Sequence, residues 1–278
     1  MSDNSIKLKL QTDGFVNVPY PVAVRRMVME SLGLWEKFCS LPKETRRRFQ
    51  YNEAGGMGVG CEFKETPGAH LDIKENLQFT RGHQAWLETA AVLSDPIAVS
   101  LIRSSAELVH FVAPLVLDFA RRLETEFDLK GLVQEVDEGQ DSWFIRYLHY
   151  FGGTTVGEEI AKSHADKSGF TLHLYESDPG LERLDYDLVW RDMPVSEGET
   201  VIIPNMQMQV RSRGQLKATW HRVVSTQETA KTGRFSMVAF IPLQHTPAYN
   251  KAGGGRLQTF APGFNYDMPQ DEFERLFV

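Results

Sequence analysis

The chain reads as an α+β fold, mainly β: a double-stranded β-helix (jelly-roll) core with N-terminal buttressing helices. Three observations predict this. Over two long stretches before residue 137, apolar residues recur at three- and four-residue steps, the helical period. After Asp137-Glu138-Gly139-Gln140 the period changes to alternation, in eight short segments separated by turn signals. Eight short strands at such spacing suit a jelly roll, whose mouth is wide enough for a site inside it. The 278 residues are read as a single domain, with strands and buttressing helices over 1–137, the jelly-roll core over 138–243 and a wrapping tail over 244–278.

Taken in order, Ile6–Leu10 alternates apolar and basic residues and predicts a short strand. Asp13-Gly14 turns the chain into a second strand, Phe15–Val18. Val24, Met27, Val28, Leu32, Trp35 and Phe38 then mark an amphipathic helix over Val22–Ser40. Leu41-Pro42-Lys43-Glu44 opens a short helix, on which Arg46-Arg47-Arg48 reads as a solvated face. Asn52–Glu62 holds four glycines and predicts a loop; it lacks the G-x-x-x-x-G-K-[ST] ending of a phosphate cradle. From Asp95 to Phe127 the helical period returns, with Pro114 expected to split it into two stacked segments and His110 expected as a core histidine. The eight strands follow at Ser142–Tyr150, Glu159–His164, Phe170–Tyr175, Leu184–Trp190, Thr200–Ile203, Gln207–Ser212, His221–Ser225 and Arg234–Ile241. In the tail, Gln270–Phe277 is a candidate helix.

Composition narrows the function. A net charge of −7 lacks the basic stripe of a nucleic-acid surface. No unbroken apolar run is long enough for a membrane span, and the N-terminus has no signal-peptide pattern, so no membrane partner is expected and a cytoplasmic location is the simplest expectation. Two cysteines, Cys39 and Cys61, are too few for a disulfide framework and fit a reducing compartment.

The chemistry concentrates between residues 164 and 236. Ser163-His164-Ala165-Asp166 places a histidine and a carboxylate at i and i+2, on one side of an extended backbone. Thr219-Trp220-His221-Arg222-Val223 supplies a second imidazole after a gap long enough for several strands to return beside the first. Two imidazoles and one carboxylate form the facial triad that holds ferrous iron and leaves positions open for a co-substrate and O2. Arg234-Phe235-Ser236 then puts a guanidinium and a hydroxyl on one strand face, a pair suited to the far carboxylate of a dicarboxylate.

In that order, and with their flanking words, these motifs resemble the iron- and 2-oxoglutarate-dependent oxygenases of the isopenicillin N synthase-like group. Ile145-Arg146-Tyr147-Leu148-His149-Tyr150 resembles the family's R-x-N-x-Y-P strand, with Leu148 and Phe151 where the family has Asn and Pro. Asp178-Pro179-Gly180-Leu181 resembles its P-G-L turn, and Lys217 to Val223 its K-S-x-x-H-R-V word. The resemblance implies that His164, Asp166 and His221 bind Fe(II) as metal ligands and catalytic centre. It implies that Arg234 and Ser236 bind the C5 carboxylate of 2-oxoglutarate, with Tyr150 beside it. The implied reaction consumes 2-oxoglutarate and O2, with ascorbate as a reductant, releases succinate and CO2, and hydroxylates or otherwise oxidises a small-molecule substrate.

Substrate contacts are less sharply marked. His173 and Tyr175, with Thr171, are read as sharing one strand face inside the barrel, as substrate contacts or packing; an extra metal ligand at His173 would close a position the reaction needs. Met206 and Met208 alternate with Gln207 and Gln209 and read either as core or as substrate pocket. Three alternatives stay open at this level: an iron oxidase of the same fold that does not use 2-oxoglutarate, a zinc hydrolase, since the same ligand set suits zinc, and a barrel that only binds a ligand. Substrate identity and oligomeric state are silent in the sequence.

Overall fold

The computed structural model describes residues 5–49, 58–64, 74–92 and 95–246. Ile6–Thr12 forms helix α1, where alternation predicts a strand. Ile6 and Leu10, one helical turn apart, are both buried, whereas Leu8, which a strand would turn to their side, is 55% exposed. Five residues leave the period ambiguous, and Glu126 decides it: Ser5 Oγ and the Lys7 N–H both donate to its Oε2 at 2.8 Å, docking α1 on a later helix.

Strand β1 (Val16–Pro19) and helix α2 (Val22–Cys39) follow within a residue or two of their expected bounds. Helix α3 (Lys43–Arg47) carries the basic run, but Arg46 is not solvated. Its guanidinium pairs with Glu75 and its Nε donates to Leu41 O at 3.1 Å, because an ionised, buried Glu75 requires a partner. Residues 52–57 of the glycine-rich stretch and the 247–278 tail, with its candidate helix, lie outside the described residues. The end of that stretch is not loop: Gly60–Lys64 is strand β2, paired antiparallel with β3 (Lys74–Phe79).

After α4 (Gln84–Val92), α5 runs unbroken from Pro96 to Phe127. Asp95 caps it, accepting from the Ile97 N–H at 2.7 Å, and Pro96 sits in the first turn, where no N–H is needed. Pro114 does not split the helix. Its ring lies on the exposed side, and the opposite side, including Leu101, Leu108, Val112, Val116, Phe119 and Leu123, is packed along its whole length. His110 is also on the exposed side, not in the core. By length and composition α5 is apolar enough to cross a membrane; more than half of that window is instead buried inside the protein. α5 joins α2 through Ser31 Oγ and Ser104 Oγ, 2.7 Å apart, and α2 reaches the sheet through Trp35 Nε1, which donates to Leu148 O at 3.2 Å.

The rest of the chain is helix α6 (Leu132–Glu138), then β4 (Phe144–Tyr150), β5 (Glu159–His164), β6 (Phe170–Glu176), β7 (Leu181–Leu184), β8 (Trp190–Asp192), β9 (Glu199–Pro204), α7 (Met206–Arg211), β10 (His221–Val224), α8 (Thr229–Thr232) and β11 (Arg234–Ile241). Two antiparallel sheets result, in the orders β1-β9-β6-β11-β4-β3-β2 and β5-β10-β7-β8. They form the jelly-roll core expected from the sequence.

Two expected strands differ. Of Leu184–Trp190 only the two ends are strand, closing β7 and opening β8; Asp185–Val189 is the turn between them, fixed by the Asp185 carboxylate, which accepts from the Asp187 and Val189 N–H groups at 2.9 and 2.8 Å. Gln207–Ser212 lies in helix α7 (Met206–Arg211) and its C-cap, Ser212. Its early N–H groups are taken by carbonyls of the 166–169 loop, and its Gln207 side chain bonds Leu243 and Thr246, so no neighbouring strand edge is needed.

The central strands β9, β6, β11 and β4 of the large sheet divide their side chains between its two faces. Ile145, Tyr147, Leu172, Ile202, Met237 and Ala239 face the helices. Leu148, Tyr150, Val201, Ile203 and Val238 face the small sheet, meeting Ile160, Leu181 and Val223. A bulge interrupts this alternation in β6: Met237 pairs with Tyr175 but Val238 with His173, leaving Leu174 extra. Beyond the bulge the parity inverts. Tyr175 therefore packs against the helix-side core rather than sharing a face with His173, and Glu176 takes the inner position that the sequence reading gave to Tyr175.

Candidate active site

His164 ends β5 and His221 begins β10, and the two are register partners. Their ring centroids lie 4.5 Å apart. Asp166, just beyond β5, completes the group, with its oxygens 3.5 Å from His164 Nε2 and 3.9 Å from His221 Nε2. One ligand atom from each of the three lies within 4.8 Å of the others. The tautomers follow from the partners. His164 Nδ1 is 2.6 Å from Lys162 O and His221 Nδ1 is 3.1 Å from Thr219 O. A carbonyl can only accept, so Nδ1 carries the hydrogen in each ring and both Nε2 lone pairs are left for a metal.

The protonation states agree. Burial, then the nearby His164, pushes the His221 imidazole down to about 4, so it is neutral. Burial would raise the Asp166 carboxyl, but His221, His164 and the Thr171 hydroxyl outweigh it and hold the group well below the usual range. Burial likewise disfavours charge on His164, and the adjacent Asp166 outweighs it and raises this imidazole. A divalent cation held by the two Nε2 lone pairs would compensate the Asp166 charge.

Asp166 is oriented by Thr171, Asn205 and Met206, to none of which the sequence reading gave that role. Thr171 Oγ1 donates to its Oδ2 at 2.7 Å, and the Asn205 side-chain amide lies 2.8 Å from that hydroxyl. Its backbone carbonyl accepts from the Met206 N–H at 3.0 Å. Here Met206 matters through its backbone, while the Met208 side chain belongs to the helix-side core.

Arg234 and Ser236 stand at the start of β11 on the inner face, and Tyr150 is the register partner of Arg234. Lys74 Nζ lies 5.3 Å from the Tyr150 ring centroid. Arg234 is wholly buried, and it already contacts a carboxylate, that of Glu176: its Nη2 donates to Glu176 Oε2 at 2.5 Å and to Asp178 O at 3.0 Å. Ser236 Oγ donates to Glu176 Oε1 at 3.0 Å. His173 Nδ1 lies 2.9 Å from the same oxygen, and its ring meets His221 edge-on at 5.8 Å, linking receptor to triad. Nothing in the sequence marked Glu176. Among the described residues, Arg234 Nε and Nη1 and His173 Nε2 are buried without hydrogen-bond partners. The receptor therefore accepts a carboxylate and keeps donors to spare, the chemistry that a 2-oxo dicarboxylate fits.

Two other places have part of the same chemistry. Cys39, Glu75 and His149 also bring ligand atoms within 4.8 Å of one another, on the helix side of the sheet. The Arg46 guanidinium already neutralises Glu75 there, which disfavours a cation. A cleft of about 240 Å³, lined by Tyr20, Arg25, Leu174, Glu176 and Glu197 among others, reaches Glu176, but none of His164, Asp166 and His221 lines it.

Comparison with known proteins accords with this geometry. Residues 144–242 match the model of the 2OG-Fe(II) oxygenase superfamily. No curated protein sequence matches the chain. Among solved structures, a full-length Neurospora crassa protein in complex with alpha-KG and thymine is similar with a TM-score of 0.68 at 19% identity, over 86% of this chain and 79% of that one. JOX2 in complex with 2OG, Fe and JA gives 0.68 at 19% identity, over 88% and 76%. The Arabidopsis thaliana dioxygenase for auxin oxidation 1, bound to 2-oxoglutarate, gives 0.66 at 18% identity, over 87% and 90%. At these identities the structures speak for the fold, and the family match speaks for the segment that carries the triad and the receptor. Over residues 144–242, the segment that carries the triad and the receptor, the chain thus has the sequence pattern of the 2OG-Fe(II) oxygenase superfamily.

Proposed function

We propose that the protein is an Fe(II)- and 2-oxoglutarate-dependent dioxygenase that oxidises a C–H bond of a small organic molecule, with release of succinate and CO2. The observation that carries the reading is the convergence of His164 Nε2, His221 Nε2 and the Asp166 carboxylate, with each imidazole's other nitrogen committed to a carbonyl. His164, Asp166 and His221 would hold the iron. Arg234 and Ser236 would take the C5 carboxylate of 2-oxoglutarate, with Tyr150 beside them. When bound, the iron supplies the one-electron and O2 chemistry that side chains lack. The chain's own part is positional. Thr171 and Asn205 fix the carboxylate, and the two backbone carbonyls fix the imidazoles.

A small-molecule substrate is supported by the thymine bound in the similar Neurospora crassa structure. The test is succinate formation by anaerobically iron-loaded protein given 2-oxoglutarate, ascorbate and air. Slow succinate production, lost in Arg234→Ala, is the expected result. No succinate, together with no absorption band when 2-oxoglutarate meets the iron-loaded protein, would overturn the reading. His164→Ala, Asp166→Ala and His221→Ala should each abolish iron binding.

A further inference from the structure

The carboxylate receptor holds an internal tenant. Glu176 is placed there by the β6 bulge, directly opposite Ser236, and it takes a hydrogen bond from each of Arg234, Ser236 and His173. One buried guanidinium neutralises one carboxylate, and a second would leave an uncompensated buried charge. From this juxtaposition we propose that Glu176 is a tethered competitor for the distal carboxylate of the co-substrate: 2-oxoglutarate enters by exchange with Glu176, which sets how tightly the site takes 2-oxo dicarboxylates relative to 2-oxo monocarboxylates. The proposal rests on the 2-oxoglutarate-dependent reading above.

Three features make the exchange feasible. Glu176 does not saturate the receptor, since Arg234 Nε and Nη1 and His173 Nε2 are buried without partners among the described residues, and an incoming carboxylate can use what Glu176 leaves. Glu176 is the last residue of β6, and rotation of its side chain leaves the backbone pairing of β6 with β11 intact. It also lines the cleft of about 240 Å³, where there is room for a displaced carboxylate, and Arg25 lines the same cleft. Charge is conserved at the receptor, because one carboxylate leaves Arg234 as another arrives. A 2-oxo acid that ends short of the receptor, such as 2-oxobutanoate, would bind with Glu176 still in place.

If the receptor is free of Glu176 for about a tenth of the time, the apparent affinity for 2-oxoglutarate is weakened about tenfold. The experiment is calorimetric titration of the manganese(II)-loaded full-length protein with 2-oxoglutarate and with 2-oxobutanoate. Wild type, Glu176→Gln, Glu176→Ala and Arg234→Ala are compared, each first checked for cooperative melting. Glu176→Gln keeps the packing, and Glu176→Ala leaves neither a carboxylate nor an amide to bond Ser236. The expected result is 2-oxoglutarate binding tighter by about tenfold or more in both Glu176 variants, with 2-oxobutanoate binding unchanged. Arg234→Ala should lose only the preference for 2-oxoglutarate. Equal or weaker 2-oxoglutarate binding in both Glu176 variants would overturn the exchange while leaving the co-substrate reading intact. No 2-oxoglutarate binding by wild type or either Glu176 variant, with manganese bound, would overturn both and favour an oxidase of the same fold.

Discussion

Replacing Thr171 by valine removes one hydroxyl and almost no volume, and it should be felt at the metal. Thr171 Oγ1 donates to Asp166 Oδ2 at 2.7 Å, and both side chains are buried. A hydrogen bond to a buried charged acceptor is worth about 1.5–3 kcal/mol. Without it, Asp166 would lose the contact that fixes its rotation and helps keep it ionised, and Asn205 would lose its partner at 2.8 Å. Loss of such a support typically weakens metal affinity about 10–100-fold, which is about 1.4–2.7 kcal/mol. The two estimates agree, so most of the hydrogen bond should appear as lost metal affinity. The assay is anaerobic titration with Fe(II) or Co(II) of wild type, Thr171→Val and Thr171→Ser, beside thermal melts of the metal-free proteins. Thr171→Val should bind metal about 10–100-fold more weakly, and Thr171→Ser should recover most of that. Wild-type metal affinity in Thr171→Val would refute the assignment of Thr171 as a positioning residue.

Other substitutions probe the frame. Arg222 touches every other strand of the small sheet, bonding Glu159 at 2.9 Å and Glu182 at 2.7 Å and lying 4.2 Å from the Trp190 ring centroid. Because it is partly exposed, Arg222→Met should cost about 1–2 kcal/mol, or a few degrees in Tm; an unchanged melting curve would count against this clamp. Pro114→Ala should stabilise the protein by about 1–3 kcal/mol, since it restores a helical hydrogen bond at an exposed position, and a lower denaturation midpoint would contradict the account of α5. Gly233 has φ +77°, and a Cβ there would lie 2.2 Å from Tyr150 O. Gly233→Ala should therefore destabilise by about 2 kcal/mol or more and weaken 2-oxoglutarate binding by shifting Arg234; wild-type stability would show that the close approach is not needed.

What could be read in the sequence was what lies within a few residues along one regular element. H-x-D and R-x-S are local patterns, and β5 and β11 have the bounds that alternation predicts, Glu159–His164 and Arg234–Ile241. What could not be read was decided by distant partners. Ile6–Leu10 has too few residues to separate a period of two from one of 3.6, and Glu126, far along the chain, settles it. Met206 to Val210 alternates like a strand, yet carbonyls of the 166–169 loop take its N–H groups and wind it into a helix. Tyr175 is misread for a sharper reason: one unpaired residue, Leu174, shifts the parity, and no propensity marks where such a residue falls.

That same residue explains why the receptor was legible and its occupant was not, and the two belong together physically. Arg234 is wholly buried, and a buried guanidinium with no counter-charge would cost several kcal/mol. The family's co-substrate brings that counter-charge only when it binds, yet the chain must fold without it. An anion supplied by the chain itself resolves this. Burial would raise the Glu176 carboxyl, but Arg234, His173 and Ser236 outweigh it and keep the group ionised. The contact that stabilises the free protein is therefore the one that the co-substrate must displace. Stability without ligand and affinity for ligand draw on the same arginine, so removing Glu176 should tighten 2-oxoglutarate while lowering the melting temperature of the ligand-free protein. A variant that gained both would show that Arg234 is compensated by something other than Glu176.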